Sequence, residues 1–272
     1  MNTRLKAAIA ATAALVGLAA AASAAPTYPN AIAVIGGADA VGYASDPAHP
    51  FQEARANSWA TGTNAAVRSI YSRLLAANPA IRAHAFNFGS HGATVRDLSS
   101  QVRKATLLKT KPEIVLVQIM GNDAPCDGKD DTRYAGYQTR VTEALQALAT
   151  GLPKARILAV GDGGTLDSYI KAVSSYGLGA RLTHASKGIC SIFAPRTGKV
   201  VPEHVAYLRR TTNGYHAAFA AACKSVPTCT YDGGAARRIV LKPADLAHRF
   251  ESLSIQGLAK LAAVEWKVLY GG

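Results

Sequence analysis

Apolar and polar positions follow two rhythms along this chain. Short apolar runs at Ala31–Ile35 and Glu113–Ile119 read as buried strands, and Ala83–Phe88, Arg156–Val160 and the short Thr228–Tyr231 read as further strands. Between them the apolar residues recur with helical spacing. Ala65–Ala77 carries Val67, Ile70, Tyr71, Leu74 and Leu75 on one stripe and closes at Asn78-Pro79. Thr94–Leu107, Tyr134–Thr150, Glu203–Cys223 and Ile255–Leu269 read as further helices. Strands alternating with helices predict right-handed crossovers and a mostly parallel sheet covered on both faces. Ligands of such sheets sit beyond the carboxyl ends of the strands. The chemistry is therefore expected on the loops after Ile35, Phe88, Ile119 and Val160, and on the segment before the last helix.

The first residues follow a different pattern. Arg4 and Lys6 precede an apolar, alanine-rich run from Ala7 to about Ala22, and Ala22-Ser23-Ala24 supplies the small residues a signal peptidase reads. This predicts a secretory signal over residues 1–24, cleaved near Ala24, rather than a membrane anchor. The run is barely long enough to span a bilayer. Residues 25–272 then form one domain, without an internal repeat, a low-complexity segment or a second apolar stretch of spanning length.

Export changes the reading of the cysteines. Cys126, Cys190, Cys223 and Cys229 are an even count in an exported chain, which favours two disulfides. Cys223 and Cys229 can close a short loop, leaving Cys126 and Cys190 as the long-range pair. Zinc is the alternative, but no CxxC or neighbouring Cys/His cluster supports it; no metal or other cofactor is expected. The formal charge is +13, or +11 once Arg4 and Lys6 leave. Lys and Arg are scattered, with small clusters at Arg209-Arg210 and Arg237-Arg238, and no nucleic-acid motif accompanies them. An anionic cell envelope fits that charge better than nucleic acid, beside the plainer reading of a solvated basic surface.

Four loop segments carry a family resemblance. They are Val34-Ile-Gly-Gly-Ala-Asp-Ala-Val-Gly-Tyr43, Ser58-Trp-Ala-Thr-Gly-Thr-Asn64, Asn87-Phe-Gly-Ser-His-Gly-Ala93 and Gln118-Ile-Met-Gly-Asn-Asp-Ala-Pro-Cys126. Together they resemble the secreted bacterial branch of the SGNH (GDSL-type) ester hydrolases, over about Ala31 to Tyr270. The resemblance implies a three-layer α/β/α sandwich around a flavodoxin-like sheet. It also implies an oxyanion hole at Gly92 and Asn122, and places all four cysteines where this branch has its later disulfides. The branch's additional pair near the first loop is absent. The glycine of the Gly-x-Asn-Asp motif stands one position late, in Met120-Gly121-Asn122-Asp123.

Such enzymes attack an ester carbonyl with a serine whose proton passes to a histidine. Here the serine position, counted back from Gly42, holds Ala38, and the preceding aspartate position holds Gly37. Asp39 is adjacent, but one residue's shift on a tight turn is expected to point its side chain elsewhere. Gly161-Asp162-Gly163 mimics the motif without a serine and on another loop. The closing Asp-x-x-His motif is matched in spacing by Asp245 and His248. Counted back from Gly257, however, its histidine falls on Ser252 and its aspartate on Arg249. Either an insertion has moved the pair or it is lost. His91, beside Gly92, is read as a solvent-facing loop histidine or as a base for a bound water. The expected function is an impaired pseudo-hydrolase, monomeric, that binds a small acyl ester, lipid or glycan. An ester hydrolase with a non-standard nucleophile or base and a structural envelope protein are the alternatives.

Overall fold

The computed structural model describes residues 27–183, 188–247 and 252–271. The signal segment and His248 lie outside the described residues. Five strands form one parallel sheet: β1 (Ile32–Gly36), β2 (Ala85–Asn87), β3 (Ile114–Gln118), β4 (Arg156–Ala159) and β5 (Cys229–Tyr231). Their order is β2-β1-β3-β4-β5. β1 therefore has β2 on one side and β3 on the other, and the chain switches direction across the sheet at this point. Ligands of open α/β sheets bind beyond the carboxyl ends of the strands at such a switch.

Among the described residues seven α-helices flank the sheet: α1 (Ile70–Ala77), α2 (Leu98–Thr106), α3 (Tyr134–Gly151), α4 (Leu166–Ser175), α5 (Leu178–Thr183), α6 (Pro202–Lys224) and α7 (Ile255–Tyr270). The period-two pleat divides each strand between two cores. Ile32, Val34, Leu116 and Leu158 pack with α1, α4 and α7. Ala33, Ile35, Val117 and Ala159 pack with α2, α3 and α6. This is the expected three-layer α/β/α sandwich.

The expected elements recur with small shifts, and two of the differences have local causes. Residues 65–69 do not join α1. Arg68 has a φ of 49°, outside the helical region. Ser69 caps α1 instead, its side chain accepting from the Ser72 amide at 3.0 Å. Thr94–Leu107 divides into a 3-10 turn at Val95–Asp97 and α2, with Asp97 closing a capping box on Thr94. Neither α4 nor α5 was marked by the sequence reading.

Both cystine bridges form, Cys126–Cys190 and Cys223–Cys229. The first ties the loop after β3 to the segment before α6. No helix among the described residues is long and apolar enough to cross a membrane.

Candidate active site

The site begins where β1 stops. Gly36 has a φ of 134°, and a Cβ there would lie 1.9 Å from the Gln118 carbonyl oxygen. Only glycine lets β1 and β3 end this close together. The freed backbone is taken over by side chains. Gln101 accepts from the Gly36 amide at 2.6 Å and donates to its carbonyl at 3.2 Å. The chain then enters a 3-10 turn at Asp39–Val41, closed by Gly42 in the left-handed region. Asn87 supports this turn by donating to the Ala40 carbonyl at 2.7 Å.

The turn forms part of the wall of a cavity of about 280 Å³. Ala38, Asp39 and Tyr43 come from the β1 turn, and His91 and Ala93 from the loop after β2. Met120, Gly121 and Asn122 follow β3, Asp162 and Gly163 follow β4, and Ser252 and Leu253 precede α7. These are the loops expected from the strand order.

Ala38, His91 and Asn122 thus share one cavity. Asn122 directs its amide Nδ2 toward the Ala93 carbonyl at 3.2 Å, which uses one of its two hydrogens. The His91 ring stacks on Tyr43 with centroids 3.4 Å apart. It lies at the exposed rim, in the cavity wall rather than turned away from it. Gly92 has a φ of 80° and borders an adjoining cleft of about 560 Å³, to which His91 and Ala93 also belong. Asp245 is buried away from the cavity lining. Its carboxylate accepts from the Lys242 amide at 2.6 Å and from the Lys260 ammonium. From this part of the chain Leu246, Ser252 and Leu253 line the cavity.

One expectation needs correction. Asp39 does not point elsewhere. Its carboxyl group lines the cavity, accepts from the Leu253 amide, and lies 3.5 Å from the Gln118 side-chain amide. The 3-10 turn beginning after Ala38 presents both neighbours inward. Asp162 lines the same cavity from the loop after β4, one of the loops expected to carry the chemistry. The strand pattern placed both loops at the site, but not the two side chains in one cavity wall, because their meeting joins segments distant in the chain.

Burial pushes Asp39 up to about 6, against the Leu253 amide, which lowers it. Asp162 is pushed up to about 7, first by burial and then by the negative charge of Asp39. Arg237 opposes this, and Asp123 and Asp232 add to it. Near neutral pH the two groups therefore share their protons unequally. No lysine or arginine among the described residues lines the cavity. No group of three or more His, Cys, Asp or Glu among them could hold a metal ion.

The family profile described as GDSL-like Lipase/Acylhydrolase matches residues 34–235. Solved structures are similar in chain course at low identity. The extracellular lipase of Streptomyces rimosus is 13% identical, with 87% of this chain and 98% of that one covered and a TM-score of 0.47. Phospholipase A1 of Streptomyces albidoflavus NA297 is 13% identical over 76% of this chain and 79% of that one, with a TM-score of 0.41. A carbohydrate esterase described as having divergent catalytic and non-catalytic binding functions is also 13% identical. It covers 91% of this chain and 66% of its own, with a TM-score of 0.48. No curated protein matches the sequence.

Proposed function

The chain belongs to the GDSL-like lipase/acylhydrolase family, and from that premise we propose that it is a disarmed, exported member that binds a small acyl ester, lipid or glycan without cleaving it. One observation carries this reading. Ala38 and Ser252 line the same cavity, and they stand where the family motifs have the nucleophilic serine and the histidine that takes its proton. A methyl group has no lone pair with which to attack a carbonyl carbon. A serine hydroxyl is too weak a base to take a proton in place of imidazole. Loss of either member of such a set costs about a million-fold in turnover. The remaining polarising groups sustain roughly 10³- to 10⁴-fold over water.

The binding half of the site is retained in kind. Asn122 keeps an amide hydrogen for a ligand carbonyl oxygen, and Gly92 adjoins with no side chain to obstruct it. Asp245 is held by Lys260 and the Lys242 amide, which argues against a displaced Asp245–His248 pair. A second reading, a hydrolase using His91 as base for a bound water, is favoured by the position of that ring in the cavity wall. A retained cavity argues against a purely structural envelope role. Cleavage near Ala24, a single domain over residues 25–272, and action as a monomer near an anionic envelope complete the proposal. Two disulfides are in keeping with an extracellular location.

The test is hydrolysis of nitrophenyl butyrate by the mature protein beside Ala38→Ser, Gly37→Asp/Ala38→Ser and Ala38→Ser/Ser252→His. The wild type is expected at the background rate, with turnover appearing only when the hydroxyl and imidazole are restored together. Turnover by the wild type that disappears in His91→Ala would replace this reading with the second one.

A further inference from the structure

The cavity inverts the charge balance of the chain around it. The sequence carries 30 lysines and arginines against 17 aspartates and glutamates. The cavity wall nevertheless holds Asp39 and Asp162 and, among the described residues, no lysine or arginine. A neutral acyl ester can accept a hydrogen bond from a protonated carboxyl, but it relieves none of the repulsion between two ionised ones. Their mutual repulsion and loss of hydration are a cost that a neutral ligand leaves in place.

The two groups are also under-used inside the protein. Asp39 takes the Leu253 amide and a long contact from Gln118. Asp162 has no hydrogen-bond donor among the described residues. Arg237 is the opposing charge acting on it, and that guanidinium is engaged by Asn213. Tyr43, whose ring stacks on His91, and Tyr169 line the same wall. Carboxyl groups with spare acceptor capacity beside aromatic rings are the elements that hold an ammonium head group.

Resting on the reading of this cavity as a ligand site, we propose that its ligand carries a cationic ammonium group. The ammonium seats against the Asp39 and Asp162 carboxyls and the Tyr43 and Tyr169 rings, with an ester or amide carbonyl directed toward Asn122. The ligand class is thus an ester or amide of an amino alcohol or amine, rather than an uncharged acyl chain.

Binding of this kind is linked to protons. Asp39, pushed up to about 6, and Asp162, pushed up to about 7, are partly protonated near neutral pH. A cation favours their ionised forms, so binding expels protons and affinity rises with pH through that range. The charged groups acting on Asp162 besides Asp39 are Asp123 after β3, Asp232 after β5 and Arg237 beyond it, and His91 and Tyr43 line the same cavity. The sign follows from the carboxyls: affinity is full above both values and declines as pH falls through them.

Two esters of matched shape provide the test: butyrylcholine, and 3,3-dimethylbutyl butyrate, its uncharged carbon isostere. Calorimetry on the wild-type protein at pH 7.5 is expected to show the choline ester binding about tenfold tighter or more. Its preference should shrink on acidification to pH 5, and heats in buffers of different ionisation enthalpy should report proton release. Asp162→Asn, checked for fold by circular dichroism, should move the affinity ratio toward one. Glycerophosphocholine carries the same ammonium beside a phosphate. Its rank against butyrylcholine tells a lipid head group from a free ester, either order supporting the ammonium assignment. Equal affinity of the wild type for the two esters overturns this proposal while leaving the cavity as an ester site. Binding of neither overturns both.

Discussion

The indole Nε1–H of Trp59 donates to the side-chain oxygen of Gln118 at 2.7 Å, joining a fully buried ring to the last residue of β3. The other end of the same amide donates to the Gly161 carbonyl at 3.2 Å. One side chain thus ties the Trp59 segment and the ends of β3 and β4 together beneath the cavity. Gln118→Leu leaves a buried N–H and a buried carbonyl without partners. Each orphaned group costs about 1–3 kcal/mol, and the melting temperature should fall by several degrees. An unchanged melting temperature would mean that this amide does not hold the loops.

Gly36 and Gly92 both have positive φ, but only one of them is crowded. A Cβ at Gly36 would meet the Gln118 backbone, whereas a Cβ at Gly92 meets no heavy atom within 4 Å. Gly92→Ala should cost about 1–2 kcal/mol from backbone conformation alone. Gly36→Ala has that cost and a clash that only separation of β1 from β3 can relieve. Urea midpoints and soluble yield distinguish the two. Similar losses for both would refute the steric account.

The two disulfides should differ in worth. Cys126–Cys190 closes a sequence separation of 64, and Cys223–Cys229 one of 6. In the chain-entropy description the long loop contributes about 4 kcal/mol and the short one about 2 kcal/mol. Denaturant unfolding of each Cys→Ser pair measures them. A larger loss for the short loop would indicate that native contacts, not the unfolded chain, dominate.

Glu265 sets a pH dependence that can be isolated. Its side chain is fully buried and neither carboxyl oxygen has a hydrogen-bond partner. Burial first, and then the charge of Asp232, push it from an ordinary 4.5 up to about 9. The folded state therefore binds the proton more tightly than the unfolded chain. Stability from this group is complete below about 4.5 and is lost progressively as pH rises toward about 9. Glu265→Gln should match the wild type at pH 4.5 and exceed it in melting temperature at pH 8–9. A difference independent of pH would show that ionisation is not the cause.

The β/α alternation could be read from local pattern because periods of two and 3.6 residues reflect backbone geometry within each segment. Ala31–Ile35 and Glu113–Ile119 became the two neighbouring central strands, and Tyr134–Thr150 became α3 almost residue for residue. The expectation that Ala38 stands at the motif's serine position is local in the same way. It needs only a motif and a count from Gly42. The start of α1 was less legible, since the Ser69 cap depends on Arg68 taking a backbone conformation that the apolar stripe does not record.

What only the tertiary structure decided is the chemistry of the cavity. Asp39 and Asp162 lie on different loops, and each alone is an ordinary aspartate in a glycine-rich turn. Their raised pKa values come first from loss of hydration, and for Asp162 next from the charge of Asp39. Those effects exist only once the loops after β1 and β4 have closed on one cavity with the segment before α7. Desolvation and charge coupling depend on distance in space, so sequence spacing could supply the residues of this site but not their meeting.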